Sequence, residues 1–229
     1  MSNTYLFAGA SSAMAIETAR LLQANGNKVV GISTKDKAYA YDLFYKVENY
    51  ESANLPAIAD GISGLVYFPG TINLKPFHRL TSDEFKSDFE INTLGAVNCI
   101  QVYLPNLKKS NNASIVLLSS VAAQTGMPFH TSISMAKAAI EALTRSLAAE
   151  LAPAIRVNCV APSLTGTPLA ERFTNTAEKL EASEKRNPLK KVGSPKEPAN
   201  AIAFLLTQQS SWITGQIIAV DGGMGTLKL

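Results

Sequence analysis

Two polar residues in apolar surroundings, Ser120 and Lys137, are the first candidates for chemistry in this chain. Ser120 comes directly after an apolar run at residues 114–119, which is typical of a buried strand. Lys137 lies near the start of a helical pattern in which most neighbours are apolar. Because burying an unpartnered ammonium is costly, we expect Lys137 to contact a ligand; an exposed helix lysine is the alternative.

His130 is a third candidate, on the loop that leads into the same helix. An imidazole can supply a proton at neutral pH, so His130 is a candidate acid, although a lone loop histidine is more often a surface residue. The nearby Ser132 and Ser134 are interpreted as pocket-lining or helix-capping residues. N-capping is the favoured role for Ser132 or Thr131.

The residues around Gly9 have the pattern of a phosphate-binding turn. Gly9 ends an apolar run at residues 4–8, and a helical pattern follows from residue 16. Where a strand turns into a helix, free backbone amides and the helix dipole can hold a pyrophosphate. We predict that Gly9, Ser11, Ser12 and Met14 contact a dinucleotide at this point. A turn with a purely structural purpose is the alternative.

The residues after the second apolar run, 28–33, bear on which dinucleotide is bound. An acidic residue here binds a ribose 2′-hydroxyl and repels a 2′-phosphate. Instead, Ser33, Thr34 and Lys35 supply two hydroxyls and a cation, and Asp36 follows only later. We therefore predict that these three residues contact the 2′-phosphate and that NADP(H) is favoured over NAD(H). A solvated loop charge is the alternative for Lys35.

The elements that must position these residues alternate along the chain. After the runs at residues 4–8 and 28–33 come a short third strand at 45–47 and further apolar runs at 64–68, 114–119, 155–160 and 216–220. Helical patterns lie between them at 16–24, 82–107, 134–151 and 195–207. This alternation predicts an α/β fold: a Rossmann-like, doubly wound parallel sheet of about seven strands, with residues 1–229 as a single domain.

Two stretches depart from this alternation. Residues 35–63 leave only 52–62, interrupted by Pro56, for a helix, so this crossover helix must be short or irregular. Residues 162–193 carry a few apolar side chains and then a charged run, which suits a mobile lid; a plain exposed helix is equally favoured.

Composition excludes several classes of function. Hydrophobic residues make up 46% of the chain and charged residues 17%, with a net charge of +3 and no run of five like charges. This gives no case for nucleic acid or an anionic membrane as a partner. The two cysteines and two histidines show no ligand spacing, so no metal site is expected. With no long apolar stretch or basic leader, we expect a soluble cytoplasmic protein.

Taken together, these landmarks resemble the short-chain dehydrogenase/reductase family over nearly the whole chain. Ser120 and Lys137 stand seventeen residues apart, the interval between the family's serine and lysine segments. The turn after Gly9 is similar to the family's Gly-x-x-x-Gly-x-Gly turn, with Ala13 and Ala15 in place of two glycines. Further matches are residues 92–95 (Asn-x-x-Gly), Pro162, Thr167 and the Asp-Gly-Gly of residues 221–223.

The resemblance implies an enzyme that moves hydride between a nicotinamide dinucleotide and a carbonyl. It implies that Ser120 orients the substrate oxygen, that Lys137 binds the cofactor's ribose, and that Asn92 connects Lys137 to a water chain. It also implies cofactor contacts for Gly70 and Thr167.

The chain also departs from the family pattern. Ile133 stands where the family's Tyr-x-x-x-Lys has the tyrosine that donates the proton. The Asn-Asn-Ala-Gly segment keeps only Gly70, and Lys46 stands where an acid usually meets the adenine. Because enoyl reductases of fatty acid synthesis, divergent members of the superfamily, carry their functional tyrosine seven residues before the lysine, His130 is similarly placed to act.

Two functions therefore remain open. The first is an NADP(H)-dependent oxidoreductase acting on a small carbonyl or enoyl substrate, with Ser120, Lys137, Asn92 and His130 as catalytic residues. The second, favoured by Ile133, is a catalytically silent relative that binds a dinucleotide or metabolite as a sensor or partner subunit.

The resemblance also implies a homodimer or homotetramer. Apolar residues on one helix and near the C-terminus could supply the contact surfaces; burial within one subunit would explain them equally well. These residues are Ala138, Ala142, Ala149, Trp212, Ile213, Ile217 and Leu227.

Overall fold

The fold is built on one parallel sheet of seven strands. The computed structural model describes residues 2–37 and 39–228. The strands are β1 (Thr4–Ala8), β2 (Lys28–Ser33), β3 (Leu43–Lys46), β4 (Gly64–Tyr67), β5 (Ala113–Leu118), β6 (Ile155–Pro162) and β7 (Ile217–Val220). Their order in the sheet is β3-β2-β1-β4-β5-β6-β7, and every pairing is parallel. The predicted Rossmann-like doubly wound sheet is therefore confirmed.

Helices cover both faces of the sheet and create two hydrophobic cores. They are α1 (Ala13–Ala24), α2 (Ser82–Phe89), α3 (Gly95–Lys108), α4 (Thr131–Leu151), α5 (Ala177–Arg186) and α6 (Lys196–Leu206). On one face, α1 and α6 pack over residues such as Phe7 and Val116. On the other face, α3 and α4 pack over residues such as Leu65 and Ile115. Because β4 and β5 are buried on both faces, their sequences are continuously apolar rather than alternating.

The order of the strands reverses between β1 and β4, which creates a crevice at their carboxyl ends. The connection after β1 leads to β2 on one side, whereas β4 continues the sheet on the other side. In open α/β sheets, ligands bind at such a switch point. Gly9 follows β1 directly, and Phe68 to Gly70 follow β4, so both turns open into this crevice.

The single helix predicted over residues 82–107 is interrupted by one turn of π-helix. This π turn, Glu90–Leu94, separates α2 from α3. A capping box of Thr81 and Glu84 starts α2. Residues 90–94 contain no glycine or proline that would mark an interruption, so the sequence indicated one continuous helix.

The crossover from β3 to β4 contains only a short 3-10 turn, Ser52–Asn54, as the sequence predicted for an irregular segment. Side chains of α3 hold the rest of this crossover. The Tyr103 hydroxyl donates to the Pro56 carbonyl at 2.8 Å, and the Asn106 amide donates to the Ile58 and Asp60 carbonyls at 2.6 and 2.8 Å.

Residues 162–193 form a 3-10 segment, Pro168–Phe173, followed by the largely exposed α5. An isolated bridge joins Thr165 to Gly193, so the two ends of the segment meet at its base. None of the described helices combines the length and apolar character needed to cross a bilayer.

Candidate active site

A cavity of about 940 Å³ opens at the carboxyl ends of the strands and extends under residues 162–193. It brings together most of the residues predicted for the site. Those that line it are Gly9, Ser11, Ser12, Met14, Thr34, Lys35, Gly70, Ser120, His130, Lys137 and Thr167. The other two predicted residues are buried: Ser33 is 1% and Asn92 0% exposed. They contact the cavity wall through hydrogen bonds to Ser11 and Thr71, respectively.

The turn after β1 has the geometry needed to receive a pyrophosphate. Gly9 has a φ of +78°, and a Cβ there would lie 2.7 Å from the Pro69 ring. Glycine is therefore required on both conformational and steric grounds. Ser12 precedes α1 without a side-chain cap, so the first-turn amides of α1 remain free at the cavity wall. The residues present fit the phosphates of a dinucleotide.

Residues 33–35 surround the place where the ribose nearest to this turn would lie. Ser33 Oγ donates to Ser11 Oγ at 3.0 Å and accepts from the Lys35 amide at 3.1 Å, so it supports the turn from behind the cavity wall. Thr34 and Lys35 face the cavity. Asp36 forms an exposed ion pair with Lys46 at 2.7 Å.

Tyr50 occupies part of the same corner. Its ring meets the Tyr67 ring edge-on, with the centroids 5.5 Å apart. Its phenol faces the amides of Gly9 and Thr34 and the hydroxyl of Ser33, while burial raises its pKa to about 12. The sequence analysis missed Tyr50, because its position depends on the crossover loop rather than on a regular element.

Lys137 is a buried ammonium group at the centre of the site. Its side chain extends from α4, and Nζ donates to the Leu118 carbonyl at 2.9 Å. Burial lowers the pKa of Lys137 to about 8, while Cys159 and the Asp88 carboxylate act in the opposite direction. Lys137 is buried, and the partner that the structure shows is the Leu118 carbonyl; its contact with a ligand stays a prediction.

Asn92 lies at the middle of the π turn and connects it to the loop after β4. Its amide nitrogen donates to Thr71 Oγ1 at 2.8 Å and to the Asp88 carbonyl at 2.7 Å, and its oxygen accepts from the Thr71 amide at 3.3 Å. A Cβ on Gly70 would lie 3.1 Å from Asn92 Oδ1 and 3.3 Å from Lys137 Nζ. Gly70 therefore leaves the space in which Asn92 and Lys137 come together.

Ser120 and Ile133 complete the wall of the cavity opposite the glycine turn. Ser120 Oγ accepts from the Ala122 amide at 3.2 Å, which leaves its hydroxyl hydrogen available to a ligand. Ile133, one helical turn before Lys137, is 5% exposed and also lines the cavity. Gln124, after the 3-10 turn that follows Ser120, donates to the buried Glu141 at 3.0 Å.

His130 lies at the mouth of the cavity with one ring nitrogen engaged. Nδ1 is 2.7 Å from the Pro128 carbonyl. Since a carbonyl only accepts, Nδ1 carries a hydrogen, and Nε2 is the nitrogen free to exchange a proton. The preceding Phe129 has a φ of +69°, unusual for a bulky residue, and its carbonyl accepts from the Lys75 amide at 3.1 Å. This loop therefore holds His130 in a defined position.

The N-capping role expected for Ser132 or Thr131 is wrong. The helix begins at Thr131, and the preceding His130 makes no capping side-chain bond. Ser132 instead donates to the buried Asp88 carboxylate at 2.5 Å, because α2 presents this acid to α4. Thr71 donates to the other oxygen of Asp88, also at 2.5 Å. The sequence analysis missed both Asp88 and Thr71.

Comparisons with known proteins agree with this geometry. A profile of the family described as "Enoyl-(Acyl carrier protein) reductase" matches residues 52–225. The 3-oxoacyl-(acyl-carrier-protein) reductase FabG of Thermotoga maritima is 37% identical over 147 residues, 64% of this chain and 59% of that protein. A tropinone reductase homolog of Arabidopsis thaliana is 39% identical over 168 residues, 73% of this chain and 64% of that protein.

A solved structure matches over almost the full length. The aldohexose dehydrogenase of Thermoplasma acidophilum, in ligand-free form, superposes with a TM-score of 0.92 at 26% identity, covering 99% of this chain and 95% of that one. By contrast, the aligned regions cover only 59% and 64% of the two sequence relatives above.

The parallel sheet, with a glycine turn at its switch point, defines a Rossmann-like fold. Within that class, the chain belongs to the short-chain dehydrogenase/reductase family. Members of this family use nicotinamide dinucleotide cofactors.

Proposed function

We propose that this chain is an NADP(H)-dependent oxidoreductase that acts on a small carbonyl or enoyl compound without the family's tyrosine. The observation that carries the proposal is that Ser120, Lys137 and His130 line one cavity, which continues to the turn at Gly9. The carbonyl-reducing activities named for the similar FabG and tropinone reductase proteins support this substrate class.

The cofactor would be held along the side of the cavity formed by Gly9, Ser11, Ser12 and Met14. Thr34 and Lys35 favour NADP(H), because they offer a hydroxyl and a cation where a 2′-phosphate would lie, and Asp36 is paired with Lys46. When bound, a nicotinamide supplies or accepts the hydride. Gly70, Thr167 and Lys137 border the remaining part of the cavity, and Lys137 would bind the ribose hydroxyls.

The protein's own groups then act on the substrate oxygen. Ser120 donates a hydrogen bond to it, which favours negative charge there during reduction. His130 donates the proton through Nε2, since Nδ1 is held by Pro128. Ile133 contributes an apolar wall and no proton, so the acid must come from elsewhere in the cavity.

The test is a panel of aldehydes, ketones and enoyl thioesters, with NADPH consumption as the readout and NADPH binding measured in parallel by fluorescence. Turnover of at least one substrate above background supports the proposal. Binding of NADPH with background consumption throughout would instead support the second candidate, a catalytically silent relative. The observation favouring that candidate is Ile133 itself, one turn before Lys137.

We also propose that the chain forms a homodimer or homotetramer in the cytoplasm. Ala138, Ala142 and Ala149 are exposed along α4, and Trp212 is 99% and Leu227 58% exposed, which suits a contact surface better than a core. Ile213 and Ile217 are only partly buried. Light scattering tests this: a mass of 24.4 kDa would exclude the oligomer.

A further inference from the structure

Asp88 is a buried carboxylate that the proposed reaction does not use. It lies near the end of α2, is 3% exposed, and forms none of the ion pairs found among the described residues. Burying a carboxylate costs several kcal/mol unless hydrogen bonds and a counter-charge offset the loss of water. The groups that surround the Asp88 carboxylate therefore indicate its role.

Each side-chain oxygen of Asp88 has a hydroxyl group as its hydrogen-bond partner. The Asn92 amide orientation is fixed, because its oxygen faces the Thr71 amide and its nitrogen faces the Asp88 carbonyl. That nitrogen also donates to Thr71 Oγ1, so the single hydroxyl hydrogen of Thr71 is directed to Asp88 Oδ1. Ser132 donates to Oδ2. Both side-chain oxygens of Asp88 therefore accept from a hydroxyl group.

Lys137 is the cation that this charge complements. The two groups do not touch; Thr71, Asn92 and the space at Gly70 lie between them. Three other ionisable groups lie on the elements packed around Lys137: Cys159, Glu141 and Glu90. Burial raises the pKa of the Cys159 thiol on β6 to about 12, so it is neutral where Lys137 titrates.

Neighbouring carboxylates on the remaining elements have other partners. Glu141, one turn along α4, accepts from Ser119 at 2.8 Å and from Gln124 at 3.0 Å. Glu90 on the π turn acts on Tyr67 rather than on Lys137. β5 carries no ionisable side chain, and neither does the 3-10 turn Val121–Ala123.

We propose that Asp88, held by Thr71 and Ser132, is the counter-charge that keeps Lys137 protonated inside the closed site. It is a positioning residue: it acts on the cofactor and substrate only through Lys137. The proposal deepens the proposed function, since a protonated Lys137 is the form that donates hydrogen bonds to ribose hydroxyls. Removing the negative charge of Asp88 should lower the pKa of Lys137. Burial already lowers this pKa, and Asp88 opposes that effect.

The experiment measures Lys137 directly, so it does not depend on finding a substrate. Protein labelled with ¹³C and ¹⁵N at lysine is titrated by NMR between about pH 6 and pH 10, with a few points in each pH unit. The Lys137→Met variant assigns the Lys137 resonance. The wild type is expected to titrate near pH 8. Asp88→Asn is expected to move the Lys137 midpoint to lower pH, and Asp88→Glu, which keeps the charge, to restore it towards the wild-type value.

Asp83→Asn is the matched control, since Asp83 is exposed on the same helix and pairs with Lys86 at 3.1 Å. It is expected to leave the Lys137 midpoint unchanged. An unchanged or raised midpoint in Asp88→Asn overturns the proposal. If Asp88→Asn does not fold, the wild type decides: the Asp88 carboxyl carbon must shift as Lys137 titrates, and a constant resonance refutes the coupling.

Binding of NADPH separates this proposal from the proposed function. If Lys137 binds the ribose, wild-type affinity falls as pH rises through the Lys137 midpoint, and in Asp88→Asn the fall begins at lower pH, giving on the order of a tenfold loss for each unit of displacement. No NADPH binding by the wild type would reject the proposed function while leaving the NMR result intact. Binding with identical pH dependence in wild type and Asp88→Asn, when the NMR midpoint of Lys137 has moved, would reject the ribose contact of Lys137.

Discussion

Replacing Ile133 with tyrosine tests whether the site is arranged for carbonyl reduction. Residue 133 lies four positions before Lys137 on α4, about 6 Å along the helix axis, and both side chains reach the cavity that Ser120 lines. A phenol at this point would stand between the ammonium and the serine hydroxyl. General acid catalysis is worth roughly a hundredfold to ten-thousandfold in rate, or about 3 to 5 kcal/mol of activation free energy.

The larger tyrosine side chain should destabilise the folded protein, but only to a limited extent. Overfilling a packed position typically destabilises a protein by about 1 to 3 kcal/mol. Here the ring can extend into a cavity of about 940 Å³, so we expect the folded protein to persist. Ile133→Phe is the matched control, because it adds the same ring without the hydroxyl.

The assay is the initial rate of NADPH oxidation with simple ketones and aldehydes, with NADPH affinity measured for each variant. We expect Ile133→Tyr to exceed both the wild type and Ile133→Phe by roughly a hundredfold or more. Equal rates for the tyrosine and phenylalanine variants, with NADPH bound by both, would show that Lys137 and Ser120 are not poised to use an acid at this position.

Four further substitutions test the other parts of the site. His130→Phe should lower any native turnover by about a hundredfold or more, measured as kcat, and unchanged turnover would remove His130 from the mechanism. Lys35→Gln should reduce the ratio of NADPH to NADH affinity, read by fluorescence titration, because it removes the cation beside the predicted 2′-phosphate; an unchanged ratio would mean that Lys35 is solvated. Tyr50→Ala should tighten NADPH binding, since the phenol faces the Gly9 and Thr34 amides, and weaker binding would show that Tyr50 stacks on the adenine instead. Gly70→Ala should weaken NADPH binding, because its methyl group would press on Asn92 and Lys137 at 3.1 and 3.3 Å; wild-type affinity would show that these groups yield at no cost.

Much of the fold followed from the sequence because parallel strands buried on both faces leave a plain signal. Strands β1 and β2 have the predicted bounds, and the others differ by a few residues at their ends. The π turn escaped prediction because its apolar spacing resembles that of an ordinary helix. Its position depends on Asn92, whose side chain takes partners outside the helix.

The candidate site was predictable where a residue type was unusual for its surroundings. Lys137 in an apolar helix and Gly9 between strand and helix were both evident from their neighbours. Asp88 was not, because it lies in a polar stretch that is typical of a solvated helix face. Its burial arises only when α2 packs on α4 and brings Ser132 against it. Long-range contacts of this kind leave no local pattern.

The crossover between β3 and β4 has its own consequence for cooperativity. The Asn98 amide donates to the Tyr50 carbonyl at 3.1 Å, and the Tyr103 and Asn106 side chains donate to backbone carbonyls later in this loop. The loop is therefore ordered by its hydrogen bonds to α3. Local unfolding should therefore release the two together, as one unit in hydrogen exchange. Damage to the helix at Asn106 would therefore reach the part of the cavity that Tyr50 lines, without any change in the cavity-lining residues themselves.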